Sequence, residues 1–243
     1  MPVQDRWSQL RRFTPARIAL GAIGHALPTP QVLDLQQAHA EAKDALYTPL
    51  EDASIQAELA LLGIASLTLE SAAPDRDTYL KRPDLGRILA TPHPELPSTD
   101  IALVIADGLS PLAVNRHAIP LLNAMLPLLP TAISPVVLVK QGRVAIADEI
   151  GFLLKARLSA ILIGERPGLS SPDSLGVYIT YSPRPGRTDA ERNCISNIRH
   201  DGLSYESAAR RIAYLIREAL HRQLTGVHLK DESETLAIPS TSN

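Results

Sequence analysis

Polar and charged residues next to glycine or proline follow four short apolar runs in the second half of the sequence. We call these segments strand exits, because each follows a predicted strand. They cover residues 107–111, 140–144, 164–169 and 182–187. Any one of them is typical of an ordinary turn. In an open parallel sheet, however, ligands bind in the crevice outside the carboxyl ends of the strands. Four such exits together therefore predict a ligand-binding rim.

The serine in the first exit has two possible roles. A hydrolase nucleophile elbow has the pattern G-x-S-x-G, and residues 108–112 lack the second glycine. Ser110 directly before Pro111 is typical of a helix N-cap followed by proline at the first helical position. We therefore interpret Ser110 as a cap and not as a nucleophile. Asp107 either braces the same turn or faces a ligand, and the sequence leaves both roles open.

The histidines and the single cysteine show no metal-binding pattern. No two of the seven histidines stand at i and i+4, and Cys194 has no cysteine companion. Residues 191–199 around Cys194 indicate a polar loop or short helix. A structural thiol, a backbone segment that contacts a ligand and a reactive cysteine all remain open there. We predict no metal ligand and, without a triad or carboxylate pair, no catalytic residue.

The elements that would position these residues follow from hydrophobic periodicity. Runs of four to six aliphatic residues predict strands buried on both faces, and helical spacing fills the segments between them. Alternating strands and helices predict an α/β fold with a C-terminal, Rossmann-like parallel sheet flanked by helices. The predicted strands cover 101–106, 136–139, 160–164 and 176–181, and the helices cover 111–125, 146–156 and 204–224.

The first half of the chain has a different pattern. Helical spacing at 32–47 and 51–62 predicts a smaller N-terminal helical region, and a proline-marked boundary lies within 71–100. The predicted division is an N-terminal arm at 1–30, the helical region at 31–95, an α/β domain at 96–229 and a mobile tail at 230–243. The arm is either an extended segment that needs a partner surface or a partly ordered terminus.

Composition excludes several classes of protein. The chain has 243 residues, with 24 Lys and Arg against 26 Asp and Glu, and this balance argues against nucleic-acid binding. One cysteine cannot form an internal disulfide, which fits a reducing cytoplasm. No apolar run reaches the roughly 18–20 residues that a membrane helix needs. The first twenty residues also lack the apolar core of a secretory signal.

Several segments, taken in order, resemble the small (light) subunit of ethanolamine ammonia-lyase. They run from about residue 12 to residue 224 and together are highly specific, although each alone would be weak. They read RFTPARIALG, IADGLSPLAV, GRVAIADEIG, LIGERPGLSSPDSLGVYITYSPRPG, ERNCISNIR and DGLSYESAARRIAYLI.

The resemblance implies an adenosylcobalamin-dependent enzyme that converts ethanolamine to acetaldehyde and ammonia by a radical mechanism. It implies a larger TIM-barrel subunit that carries the substrate site, a cofactor between the two subunits and a hexamer of large–small pairs. The cobalamin contacts that it implies for this chain are Val144, Glu165 and Cys194. No histidine here stands in an Asp-x-His-x-x-Gly motif, so we expect the benzimidazole of the cofactor to remain the lower cobalt ligand.

Two further expectations accompany the resemblance. The family implies a cytoplasmic protein within a bacterial microcompartment. The N-terminal arm then either carries an address to that compartment or binds the large subunit. Two other functions compete with this one, a stand-alone α/β enzyme that uses Asp107, Ser110 or Glu165 directly and a microcompartment assembly protein.

Overall fold

The computed structural model describes residues 7–14, 16–91, 97–131, 133 and 135–233. Within these residues the chain forms one six-stranded sheet with helices packed against it, which confirms the α/β class. The strands are β1 Ser66–Glu70, β2 Ile101–Ala106, β3 Val136–Lys140, β4 Leu158–Gly164, β5 Leu175–Tyr181 and β6 Arg192–Ile198. The helices are α1 Thr29–Tyr47, α2 Asp52–Leu61, α3 Arg76–Lys81, α4 Pro111–Met125, α5 Ile146–Leu153 and α6 Tyr205–Arg222.

The sheet is mixed. The strand order is β1-β3-β2-β4-β5-β6. The first four strands in this order are parallel, whereas β5 and β6 run antiparallel to their neighbours. A Rossmann-like, wholly parallel sheet is therefore not confirmed. The fourth predicted strand, β5, reverses direction because residues 165–174 contain no helix, and a parallel crossover needs a dozen or more residues.

Two apolar layers hold the sheet between the helices. On one face, Leu103 and Ile105 of β2 pack in a core with α2, α4 and α6. On the other face, Ala102 and Val104 pack with α5 in a smaller core. Because successive strand residues point to opposite faces, a strand in the middle of the sheet must be apolar throughout, as β2 is. Among the described residues, no helix is both long and apolar enough to cross a membrane.

Two strands were not predicted. Residues 66–70, within the predicted helical region, form β1 at one edge of the sheet and pair with β3. Residues 192–198, predicted as a polar loop or short helix, form β6 at the other edge. The predicted helical region therefore contributes a strand, while the division of the chain into domains stays a prediction. Residues 92–96 of the predicted boundary and 234–243 of the predicted tail lie outside the described residues.

Candidate functional site

The carboxyl ends of β2, β3 and β4 lie side by side at one end of the sheet, which we call the rim. The carboxyl end of β6 and the amino end of β5 lie at the same end of the sheet, because Gly164 pairs with Leu175 and Leu175 pairs with Ile198. The fourth predicted exit, 182–187, begins at the opposite end of the sheet, where the Ser182 amide donates to the Arg157 carbonyl at 2.8 Å. Its predicted place on the rim is wrong because β5 is antiparallel.

Two exit loops of the rim touch through glycine. The Leu109 amide donates to the Gly164 carbonyl at 2.9 Å. A Cβ atom on Gly164 would lie 2.1 Å from the Ser110 carbonyl oxygen and 2.6 Å from that of Asp107. Gly108 has a φ of +56°, a conformation that glycine adopts without steric cost. These two glycines let the exits of β2 and β4 pack directly against each other.

Asp107 braces the loop that follows β3. Its buried carboxylate accepts hydrogen bonds from the backbone amides of Gln141 at 2.9 Å and Gly142 at 3.0 Å. The Nη1 of Arg76 lies 3.5 Å from the same carboxylate. Burial raises the pKa of Asp107 to about 6, although the Arg76 charge acts in the opposite direction. Of the two roles that the sequence left open, the structure shows the bracing one.

Ser110 caps α4, as predicted. Its Oγ accepts the Ala113 amide at 3.2 Å and donates to the Pro172 carbonyl at 2.9 Å. With both bonds made, the buried hydroxyl is fully engaged in the fold. The cap also ties α4 to the loop between β4 and β5.

A cleft of about 390 Å³ opens at the rim, and we call it the rim cleft. Val144 and Glu165, two of the three site residues inferred from the resemblance, both line it. This volume lies at the lower end of the usual range for ligand sites. The complete lining is Tyr79, Gly108, Leu109, Arg143, Val144, Ile163, Gly164, Glu165, Arg166 and Tyr178.

Glu165 is held by three donors. Its Oε2 accepts hydrogen bonds from the Ser174 hydroxyl at 2.5 Å and from the backbone amide of Asn197 at 3.2 Å. Its Oε1 accepts one from the Ser196 hydroxyl at 2.5 Å. Gly176 provides the space, since a Cβ there would lie 2.9 Å from Oε1. An ionised carboxylate offers about four acceptor sites. One site on Oε1 therefore remains for a further donor.

Cys194 lies beside the rim cleft and not in its lining. It pairs with Tyr178 across β5 and β6, so the two side chains are neighbours on one face of the sheet. The Cys194 side chain is exposed, yet partial desolvation of its sulfur and, less strongly, the negative charge of Glu165 raise the pKa of the thiol, whereas the Tyr178 hydroxyl lowers it. The thiol is therefore neutral near pH 7. A reactive thiolate, one of the alternatives that the sequence left open, does not fit this setting.

Four lining residues with polar side-chain groups were not singled out from the sequence: Tyr79, Arg143, Arg166 and Tyr178. Tyr79 comes from α3, within residues 71–100, where the sequence predicted a proline-marked boundary. Arg143 and Arg166 stood within predicted exits, but nothing in the sequence distinguished them from other exit residues. Tyr178 stands in a run predicted as wholly buried, yet it is only half-buried because it points to the less covered face of β5. Among the residues described here, no three His, Cys, Asp or Glu side chains come together as metal ligands would.

Comparison with known proteins places the chain in a family. The family described as "Ethanolamine ammonia-lyase light chain" matches residues 4–230. The ethanolamine ammonia-lyase small subunit of Azotobacter vinelandii is 56% identical over 246 residues, with 95% of this chain and 90% of the relative covered. That of Pseudomonas fluorescens Pf-5 is 55% identical, with 98% and 91% covered, and that of Pseudomonas aeruginosa LESB58 is 54% identical, with 99% and 94% covered. The chain therefore belongs to the ethanolamine ammonia-lyase light-chain, or small-subunit, family.

Proposed function

We propose that this chain works as the small subunit of an ethanolamine ammonia-lyase, in a complex with a large subunit, and that it binds adenosylcobalamin at the rim. The complex converts ethanolamine to acetaldehyde and ammonia. Adenosylcobalamin, when bound, supplies a carbon radical by homolysis of its cobalt–carbon bond. The residues of this chain contribute the binding and the orientation of the cofactor.

The chemistry of the rim cleft fits this cofactor. A corrin ring carries many neutral amide groups, which need hydrogen-bond donors and acceptors together with apolar contact. Val144, Ile163 and Tyr178 supply apolar surface, and Glu165 keeps a free acceptor site.

The residues of this chain would divide the work of holding the cofactor. Val144 packs against the ring edge, and Glu165 accepts a corrin amide N–H at Oε1. Cys194, with its neutral thiol on Tyr178, forms a packing wall and does not act as a thiolate ligand to cobalt. The observation that supports this most strongly is that Val144 and Glu165, far apart in sequence, line the same cleft.

The size of the rim cleft supports a shared site. At about 390 Å³ it is much smaller than a complete corrinoid, so this chain would cover only part of the cofactor. The relatives are named small subunits, and a TIM-barrel large subunit would enclose the remainder and carry the substrate. The hexamer of large–small pairs and the bacterial microcompartment in the cytoplasm rest on the resemblance and belong to the same proposal.

Reconstitution tests the proposed function. The chain is co-expressed with the large subunit, and ethanolamine deamination is measured with and without added adenosylcobalamin. We expect activity only from the complex and only with the cofactor. Deamination by this chain alone, or by the complex without any corrinoid, would contradict the proposal.

A further inference from the structure

A second cleft adjoins the rim cleft, and its lining is strongly basic. It has a volume of about 370 Å³ and lies between α1, α3 and the exit of β4. The two clefts share Leu109, Arg143 and Arg166. We call the second one the basic cleft, and it is lined by His39, Ala42, Lys43, Leu46, Leu80, Leu109, Arg143, Arg166 and Pro167.

The positive charges of the basic cleft are not neutralised by the protein. Its lining contains no carboxylate. Among the described residues, Lys43, Arg143 and Arg166 form no ion pair with an acidic side chain. Other arginines close to the rim are paired, as Arg76 is with Asp107. Three unpaired cations around one cavity favour an anionic ligand.

Arg143 is held in place for such a role. Its guanidinium stacks over the Tyr79 ring at 4.2 Å, and its Nη2 donates to the Tyr79 carbonyl at 3.2 Å. Tyr79 is itself buried and fixed, because its hydroxyl donates to the Gly142 carbonyl at 3.0 Å. The Nε of Arg143 has no partner. A fixed guanidinium with spare donors suits the tetrahedral oxygens of a phosphate.

We propose that Lys43, Arg143 and Arg166 form a phosphate subsite, and that its ligand is the phosphodiester in the nucleotide arm of the corrinoid. This inference rests on the proposed function, since it assumes a corrinoid in the rim cleft. The amide groups of the corrin are neutral, whereas the phosphodiester carries a negative charge. The neutral part then contacts Val144 and Glu165, and the charged part reaches the basic cleft through the two shared arginines.

Binding measurements that compare cobinamide phosphate with cobinamide test the subsite, because these two corrinoids differ by the phosphate. Affinities for the purified large–small complex are measured by isothermal titration calorimetry. We expect the complex to prefer cobinamide phosphate roughly tenfold or more, as charge-assisted hydrogen bonds would give. Lys43→Gln and Arg166→Gln change exposed side chains and should each remove much of this preference.

Two further variants make the test specific. Arg143→Lys keeps the charge but loses the planar donor fork, so we expect part of the preference to remain. Arg217→Gln removes an exposed charge from α6, which contributes no residue to either cleft, and should leave the preference intact. A preference that survives in Lys43→Gln and Arg166→Gln would overturn the subsite while the proposed function stands.

The remaining outcomes separate this inference from its alternatives. If the wild-type complex binds neither of these corrinoids nor adenosylcobalamin, the proposed function itself fails. If inorganic phosphate binds to the complex already saturated with cobinamide phosphate, and the Arg166→Gln variant loses that binding, the subsite serves a separate phosphate compound. That second result would overturn the assignment to the nucleotide arm. Competition between inorganic phosphate and the phosphate of the corrinoid would support it.

Discussion

Glu165 shows that one side chain can serve both the fold and the site. Its three donors come from the loop before β5 and from β6, so the carboxylate connects two parts of the rim. Substituting it with alanine would leave those donors without an acceptor and would disturb the fold as well as the cleft. A test of its role in binding therefore needs a variant that moves the carboxylate without removing it.

Gly176→Ala is such a variant. The new Cβ would lie 2.9 Å from Oε1 and 3.1 Å from Cγ of Glu165, so the flexible side chain must shift and lose its bond to Ser196. We expect the affinity of the complex for cobalamin to fall roughly tenfold, with a small change in the free energy of unfolding. Because both changes act through one carboxylate, Gly176→Ala combined with Glu165→Gln should weaken binding no more than Glu165→Gln alone. Additive losses would show that Gly176 acts by another route.

His117 predicts a pH dependence of stability. The buried ring lies 2.8 Å from the Tyr205 hydroxyl and 3.4 Å from the Asp173 carboxylate. Burial lowers its pKa below the ordinary 6.5, although Asp173 acts in the opposite direction and Arg116 adds to the lowering. The unfolded chain therefore binds a proton more readily than the folded one below pH 6.5, and stability is lost as pH falls from there.

Urea unfolding at pH 7 and pH 5 checks this prediction. The free energy of unfolding should fall more steeply in the wild-type chain than in His117→Gln, which does not titrate. Groups elsewhere contribute equally to both proteins and cancel in the comparison. Equal pH dependences in the two proteins would show that His117 does not control this part of the curve.

Much of the residue-level site was within reach of the sequence. The capping role of Ser110 followed from its place before Pro111. The resemblance named Val144 and Glu165, which both line the rim cleft, and their contact with the cofactor stays a prediction. The partners of Glu165 did not, because Ser196 and Asn197 belong to a strand that the sequence failed to indicate. The role of Asp107 required the fold, since its donors lie on a loop more than thirty residues away.

At the scale of elements, the central strands were predictable and the edge strands were not. β2 is apolar throughout, and β4 is apolar except for Ser159, because helices cover both of their faces. β6 reads as polar because it lies at the edge, where Asn193 bonds the backbone of residues 226 and 229. β1 had a usable signal, since SLTLE alternates polar and apolar residues as a half-buried strand does.

The direction of β5 was also readable. Residues 165–174 between β4 and β5 are few and contain no helical pattern, so only an antiparallel connection is practical. The prediction of β5 as a parallel strand placed its carboxyl end at the wrong end of the sheet. With the direction corrected, the rim gains Ser174 and the end of β6 and loses residues 182–187 as a direct strand exit.

A buried ion pair joins α5 to β6. Arg192 Nη1 lies 2.7 Å and 2.6 Å from the two carboxylate oxygens of Asp148, and both side chains are almost fully buried. Asp148→Ala would leave the guanidinium without its main partner, at a cost of about 3–5 kcal/mol in the free energy of unfolding. Denaturant unfolding measures this cost directly.

An exposed pair provides the control for this prediction. Arg82 and Asp84 form an ion pair at 2.7 Å with more than half of each side chain exposed, so Asp84→Ala should leave stability unchanged within error. A second substitution, Arg192→Met in the Asp148→Ala chain, should recover part of the loss because it removes the uncompensated charge. A cost for Asp148→Ala as small as that for Asp84→Ala would show that the pair does not hold α5 to the sheet.

At the scale of the whole molecule, the segment before α1 carries apolar side chains on its surface. Trp7, Phe13 and Ile23 are each about two-thirds exposed or more. Exposed apolar groups in one segment are typical of a surface that a partner covers. Of the two roles left open for the arm, this favours binding to the large subunit over an address to a microcompartment.

Hydrogen exchange can separate the two roles of the arm. We expect backbone amides in residues 7–28 to exchange slowly in the large–small complex and quickly in the isolated chain. Residues 215–222 near the end of α6 provide an internal reference, since their helical amides should be protected in both states. Fast exchange of the arm in the complex would leave the address as its role.

We propose that a corrinoid lies against the rim of this chain inside a two-subunit enzyme. An experimental structure of the purified complex with bound adenosylcobalamin measures this most directly. We predict that the corrin edge contacts Val144 and Glu165, with Cys194 beside it. A corrinoid held wholly by the large subunit, away from these three residues, would show that this chain does not bind the cofactor at its rim.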